Sequence, residues 1–341
     1  MSVPTKIQAI TFAKQGGVEV IEKTEIPFSR GGPGHVIVKV HYGGVNFIDT
    51  YFRGGIYPVE KFPGIIGHEA AGEIVELPTD ENVLNSEVYK KRGLSIGSRV
   101  AFFSTSTFAE YVSVPWEKAV VLPDSVTYRI GAASILQGLT ALSFVTEAYE
   151  VKKGDTVFVH TVAGGLGLFF AQLAKARGAT VIGTTSTPEK AEIAKAHGAD
   201  HVILYKNEDT AQRVKEITNG QGVDVVYDGV GKDTFELDFE IIKRKGTIVS
   251  VGNASGAVPP FPPLKLTPKN LRILRPSLAN YLVTPEETDF YGPKFFSHIA
   301  DGSLKVNVFR EYPFTAEGVR QSQLDLTGGK TTGKLLIKII D

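Results

Sequence analysis

The chain has 341 residues with 37 basic and 37 acidic side chains, so no global field draws it toward nucleic acid or an anionic membrane. It contains 0 cysteines, which excludes a disulfide, a thiolate nucleophile and a cysteine-based zinc site. The length predicts two domains, and 36 glycines with 18 prolines predict many tight turns. The opening MSVPTKIQAITF shows no long apolar h-region and no run is expected to span a membrane, so a cytoplasmic protein is expected, with a nuclear fraction as the alternative.

In chain order, residues 1–125 read as short strands between turns, an irregular and largely antiparallel β domain. Ile7–Phe12 and Val18–Val20 flank Gly16 and Gly17 as a hairpin signal. Further strands are expected at His35–Val40, Ala70–Val75, Ser98–Phe103, Phe108–Val114 and Ala119–Leu122. Between them Thr79–Ser95 is polar and charged, a surface excursion whose Lys90, Lys91 and Arg92 are expected to form a solvated face.

Arg129–Ala148 reads as helical and leads into Asp155–Arg177, the stretch that organises the second half. Thr156–His160 is an apolar run suited to a strand buried on both faces. Gly164, Gly165, Leu166 and Gly167 follow at once, and Leu166, Phe169, Phe170, Leu173 and Ala174 then repeat at helical spacing. Strand, glycine-rich turn and helix make the first unit of a dinucleotide fold, with backbone N–H groups open to a pyrophosphate. The letters are not G-x-G-x-x-G, because alanine takes an early glycine position; the continuing pattern carries the argument. Strands at Thr180–Thr184, His201–Leu204, Val223–Tyr227 and Thr247–Val251 alternate with helices, and Leu271–Leu274 is a candidate sixth strand. The reading is a doubly wound parallel α/β sheet. From about Arg275 the pattern changes, and the buried run Lys334–Ile340 is expected to return to the first domain. Boundaries are expected at 1–128, 129–275 and 276–341.

A coenzyme without a 2′-phosphate calls for an acid at the tip of the second strand. Ser186 and Lys190 stand there instead and Tyr205 follows the third strand, which favours NADP(H). Glu189, on the first helical turn, reads as a dipole partner rather than a ribose ligand.

Gly44–Tyr51 (GVNFIDTY), Pro63–Gly72 (PGIIGHEAAG), Ala163–Gly167 (AGGLG), Gly252–Gly256 (GNASG) and Arg275–Leu278 (RPSL) resemble the zeta-crystallin-like NADPH:quinone oxidoreductases. These are a branch of the medium-chain dehydrogenase/reductase superfamily, and the likeness spans nearly the whole chain. It implies a GroES-like β-rich catalytic domain joined to a Rossmann domain, and NADPH as coenzyme. The superfamily's zinc enzymes carry a cysteine at the place of Asn46 and a histidine ligand at the place of His68. With asparagine there and no cysteine anywhere, His68 is expected to be structural or cleft-lining and the enzyme zinc-free.

Without a Lewis acid the acceptor must carry its own negative charge, as a quinone does. Asn46, as an amide donor, and Tyr51, as a phenol, are the candidates to orient the carbonyl and supply or relay a proton. Tyr51 as an aromatic wall against the nicotinamide is the alternative. The resemblance further implies Gly165 and Leu166 amides at the pyrophosphate, and Ser186, Lys190 and Tyr205 at the 2′-phosphate. It places Val251, Gly252 and Asn253 at the nicotinamide, with Thr140 and Lys334 as further contacts. Reduction of α,β-unsaturated carbonyls is a second reading. Binding of AU-rich mRNA, known in the resembled family, is a third that nothing in the residues independently supports. The apolar strand at Leu271–Leu274 suggests a homodimer by edge pairing.

Overall fold

The computed structural model describes residues 3–340. The chain divides into two compact units, one of residues up to Leu139 together with those from Leu282 onward, the other Thr140–Tyr281. The first boundary lies at 139/140 rather than the expected 128/129, because the helix Tyr128–Ser143 contributes its first three turns to the first unit, and the second lies at 281/282 rather than 275/276.

The first unit is built on a seven-stranded sheet. His35–Val45 is its central strand, antiparallel to Glu69–Glu76, to Tyr111–Pro115 and to Lys334–Lys338 from the C-terminal return. Arg99–Phe103 and Ala119–Val121 extend one side, and Val308–Pro313 pairs in parallel with Lys334–Lys338 on the other. Register fixes what meets at one end. Leu335 lies opposite Val45, and Gly43 opposite Ala70, so Lys334, Asn46 and Glu69 fall side by side.

A smaller sheet pairs Lys6–Phe12 with Ile21–Pro27, Phe12 opposite Ile21. The expected strand at Val18–Val20 is a 3₁₀ turn, so the hairpin loop is longer than the glycine pair suggests. The excursion at 79–95 folds into two short helices, Glu81–Asn85 and Glu87–Arg92. Its Tyr89 and Leu94 join the core around Val36, Phe102 and Trp116. Arg92 is no part of a solvated face: its guanidinium lies 4.7 Å from the Trp116 ring centroid and donates to the carbonyls of Trp116, Glu117 and Pro285.

The second unit holds six parallel strands, β1 (Thr156–Val159), β2 (Thr180–Thr185), β3 (His201–Leu204), β4 (Val223–Asp228), β5 (Ile242–Ser250) and β6 (Arg272–Leu274). Their order is 3-2-1-4-5-6, the doubly wound arrangement that reverses between β1 and β4. Helices α1 (Gly165–Ala176), α2 (Pro188–Ala196), α3 (Thr210–Ile217) and α4 (Phe235–Ile241) are the crossovers. Phe158, Ile182, Val226 and Ile248, one from each of four adjacent strands, are fully buried together. By length and apolarity the helical run Tyr128–Ala148 passes as a membrane span, contrary to the sequence expectation, yet 67% of that window is buried inside the protein. Its apolarity is that of a core helix.

Candidate functional site

The second unit gathers nearly all the residues expected at the coenzyme along the carboxyl ends of its strands, where such sheets bind ligands. After β1 the chain turns through Thr161, at a left-handed φ of 53°, and α1 begins at Gly165 with Gly164 as its N-cap. No side chain caps that terminus, whereas Thr187 and Asp209 cap α2 and α3. The first-turn amides of Gly165, Leu166 and Gly167 thus form a terminus suited to an anion. Gly167 is required for packing, since a Cβ there would come within 2.5 Å of the Thr161 carbonyl oxygen. Leu166, assigned to the apolar stripe, is only half-buried and lies on this first turn.

Thr185 of β2 is opposite Leu204 of β3, so the next residues, Ser186 and Tyr205, leave the sheet as neighbours. Lys190 lies one turn into α2, with its amide donating to Thr187 Oγ1. Its ammonium is held below the usual lysine range by partial burial and by the nearby Lys206. Lys206 is the residue that sequence reasoning missed; its signal was adjacency to Tyr205 at the tip of a strand bordering β2. Glu189 is exposed and held low by its own backbone amide and Thr187, consistent with a helix-dipole partner. Two ammonium groups, a hydroxyl and a phenol at one corner match a phosphomonoester.

At the end of β5, the amides of Val251 and Gly252 donate to the Asp228 carbonyl at 2.7 and 3.2 Å. A Cβ on Gly252 would lie 2.6 Å from the Gly229 oxygen, so only glycine allows the two loops to touch. The Asn253 amide is within 3.0 Å of both Arg275 Nη2 and the Gly252 carbonyl, and its oxygen faces the guanidinium. Thr140 is half-buried in the helix that opens this unit. Beneath the edge, buried His160 meets Asp238 Oδ1 at 2.8 Å through Nε2, while Asp228 Oδ1 accepts from the amides of Val230 and Gly231 and from Thr234. Burial, with Asp228 beside it, raises the Asp238 carboxyl to about 7 against the opposing pull of His160.

In the first unit, Asn46 caps the helix Phe47–Gly54 that carries Asp49 and Tyr51. Its Nδ2 donates to the Gly44 carbonyl at 3.1 Å and to Glu69 Oε1 at 2.7 Å, and its Oδ1 accepts from Lys334 Nζ at 2.8 Å. The expectation that Asn46 donates to a substrate carbonyl is corrected: both amide hydrogens are engaged within the protein and the residue is buried. Lys334, expected at the coenzyme, is buried with its ammonium on Glu69 and Asn46. Glu69 is fully enclosed, its second oxygen accepting from the Leu136 amide at 2.8 Å. Gly44 leaves the room, as a Cβ there would sit 2.5 Å from Glu69 Oε1.

Tyr51 is buried, its ring edge-on to Tyr57 at 5.5 Å and tilted against Phe47 at 6.4 Å. Phe52 continues the cluster, edge-on to Tyr57 at 5.4 Å and stacked on His68 at 5.0 Å. His68 Nδ1 lies 2.6 Å from Asp49 Oδ1, and Asp49 Oδ2 accepts the Asn46 amide at 2.8 Å.

An antiparallel β unit completed by a C-terminal return, joined to a 3-2-1-4-5-6 coenzyme sheet, is the architecture of the medium-chain dehydrogenase/reductases. Residues 32–124 match the alcohol dehydrogenase GroES-like domain and residues 165–291 the zinc-binding dehydrogenase family. The chain is 38% identical to a quinone oxidoreductase of Pseudomonas aeruginosa over 96% of its length and 98% of the relative's. It is 32% identical to a 2-haloacrylate reductase of a Burkholderia species, over 97% and 98% of the two chains. The crystal structure of the Escherichia coli quinone oxidoreductase complexed with NADPH superposes with a TM-score of 0.89 at 36% identity, covering 97% and 99%. This chain belongs to the quinone oxidoreductase family, the zinc-free branch of that superfamily.

The name of the second matched family raises the question of zinc, and the residues do not fit it. Among the described residues no three His, Cys, Asp or Glu side chains converge. The group beside Asn46 and Glu69 is the Lys334 ammonium, a fixed cation that repels a metal ion.

Proposed function

We propose that this chain is an NADPH-dependent quinone reductase working without a metal. The observation that carries the reading is the corner formed by Ser186, Lys190, Tyr205 and Lys206, two cations and no acid at the tip of β2. Beside it the uncapped start of α1 supplies amides for the pyrophosphate, and Val251, Gly252 and Asn253 border the nicotinamide end. NADPH, when bound, supplies the hydride. The chain's own residues hold the phosphates and shape the loops around Asp228. Tyr51, weighed as proton donor and as an aromatic wall against the nicotinamide, packs its ring on Phe47 and Tyr57. A quinone spreads the developing charge over an aromatic oxyanion, a weak base that needs no Lewis acid.

The Burkholderia relative favours conjugated enals or haloacrylates as a second acceptor class, since they too take hydride at a conjugated carbon. No observation favours RNA: Arg92 is buried against Trp116 and Lys243 is paired with Asp224. A cytoplasmic location and a homodimer through the edge strand β6 complete the proposal, tested by fractionation and by sedimentation. Lys190→Glu tests the coenzyme assignment. NADPH-dependent quinone turnover should be lost while NADH turnover holds or improves, and unaltered NADPH affinity would refute it.

A further inference from the structure

Asp228 joins the loops that follow β4 and β5. Its backbone carbonyl accepts the amides of Val251 and Gly252, while its Oδ1 accepts the amides of Val230 and Gly231 at 2.7 and 3.1 Å and the Thr234 hydroxyl at 2.9 Å. The Gly229 and Val230 carbonyls tie the same loops again by accepting the amides of Ala254 and Ser255. Tyr227 of β4 is opposite Val159 of β1, so Asp228 and His160, one residue on, stand side by side where the strand order reverses. That is where such sheets bind their ligands. The three donors to the Asp228 carboxylate all fall on Oδ1. Its Oδ2 is buried with no partner among the described residues, and the same holds for Oδ2 of Asp238 on α4, whose Oδ1 meets His160 Nε2 at 2.8 Å. The Asp238 carboxyl is within hydrogen-bonding reach of Asp228. Two enclosed carboxyls so placed repel when both are ionised, whereas one proton between the two unpartnered oxygens satisfies both. The charged groups acting on the pair come from three elements: His160 past the end of β1, Asp228 of β4 and Asp238 of α4.

We propose that Asp238 is a positioning residue for the coenzyme: the proton it holds against Asp228 keeps the two loops joined at the nicotinamide end, and loss of that proton loosens them and weakens NADPH. The inference rests on the NADPH reading above. With the proton in place, the Asp238 Oδ2–H donates to Asp228 Oδ2, and Oδ1 of each residue keeps its existing partners. When the proton passes to solvent, two carboxylates face one another in a buried space. Asp238 is fixed in α4 and held by His160, so the Asp228 carboxylate is the one driven off, and the amides of Val230 and Gly231 lose their acceptor. Burial, with Asp228 beside it, raises the Asp238 carboxyl to about 7 against the pull of His160, so the proton is lost around neutrality. By linkage, NADPH in turn favours the protonated form and draws a proton into the protein when it binds above that pH.

The test is titration calorimetry of wild type, Asp238→Asn and Asp238→Leu with NADPH and with adenosine 2′,5′-bisphosphate, which carries the 2′-phosphate but no nicotinamide. Asp238→Asn keeps a donor toward Asp228 that does not titrate. Between about pH 6 and pH 9 the wild-type Kd for NADPH should therefore rise on the order of tenfold relative to that of Asp238→Asn, a ratio that cancels the titrations of the 2′-phosphate and its lysines. At about pH 8, in two buffers of different ionisation heat, wild type should take up more protons than Asp238→Asn on binding NADPH. The bisphosphate should show neither difference. Asp238→Leu, with no donor toward Asp228, should bind NADPH about tenfold more weakly than Asp238→Asn at both ends of the range. Equal pH dependence in wild type and Asp238→Asn overturns the proposal, and that comparison decides even if Asp238→Leu does not fold. The same difference appearing with the bisphosphate would mark a merely structural role and also overturns it. A wild type that binds the bisphosphate and NADPH no better than NADH overturns the NADPH reading and this proposal with it.

Discussion

Lys190 and Lys206 show how charge at a single corner selects a coenzyme. Each loses an ammonium neighbour's repulsion when a dianionic phosphate sits between them, and charge-assisted contacts of this kind are worth about 1.5–3 kcal/mol. Lys206→Ala should therefore raise the KM for NADPH by roughly tenfold or more and leave NADH kinetics unchanged, measured by steady-state initial rates. Equal effects on both coenzymes would remove Lys206 from the corner. Lys190 was legible in the sequence, since the tip of β2 visibly lacks an acid; Lys206 was missed although it follows Tyr205, because the pairing of β2 with β3 is what brings it close. Asn46 was found by its position in a motif, but its role was misread. The groups that occupy it, Glu69 and Lys334, are 23 and 288 residues away, and sheet register alone unites them. Lys334→Met leaves Glu69 buried without its cation and should cost about 3–5 kcal/mol in chemical denaturation. Adding Glu69→Gln should recover part of that loss, and a single variant as stable as wild type would deny the pair any structural weight.

At the scale of elements, the turn from β1 into α1 is set by contact distances. Gly167→Ala places a methyl group 2.5 Å from the Thr161 oxygen and 2.8 Å from the Val162 Cα, both backbone atoms that cannot swing aside. The expected outcome is a loss of about 1–3 kcal/mol in stability together with weakened NADPH binding; a neutral effect on both would show that the turn relaxes freely. Below the same edge, His160 and Asp238 link β1 to α4 through a fully buried contact. Burial pushes the His160 pKa down, but Asp238 and Asp228 outweigh it and the net displacement is upward. The Asp238 carboxyl, raised to about 7 by burial, moves the same way. Groups raised in the folded state stabilise it at low pH and lose that contribution as pH climbs through their folded values. The stability gap between wild type and Asp238→Asn should accordingly shrink between about pH 5 and pH 8, read from urea midpoints; a gap independent of pH would contradict the assignment. Nothing in the sequence announced this cluster, in which His160 just past the end of β1 meets Asp238 of α4 across 78 residues.

For the whole molecule, the alternation of strands and helices made the coenzyme unit readable almost strand for strand. Its inner strands β1, β2, β4 and β5 are apolar runs buried over most of their length, which leaves a clear signal, whereas the edge strand β6 is largely exposed. The antiparallel unit was harder to read. Its strand at Val308–Pro313 is largely exposed and carries Arg310 and Glu311, so no apolar alternation marks it, and the helix Ala316–Thr327 buries only a narrow face. The division at Leu139/Thr140 falls inside a continuous helix, where composition gives no cue. The account as a whole depends on a phosphorylated coenzyme held at the tip of β2 and on chemistry that needs no zinc. The most direct measurement is quinone reduction by protein dialysed against a strong chelator, with NADPH and NADH compared at limiting concentration. The account predicts full retention of activity and a kcat/KM ratio favouring NADPH by at least about tenfold. Activity abolished by the chelator and restored by zinc, or a ratio favouring NADH, would contradict it.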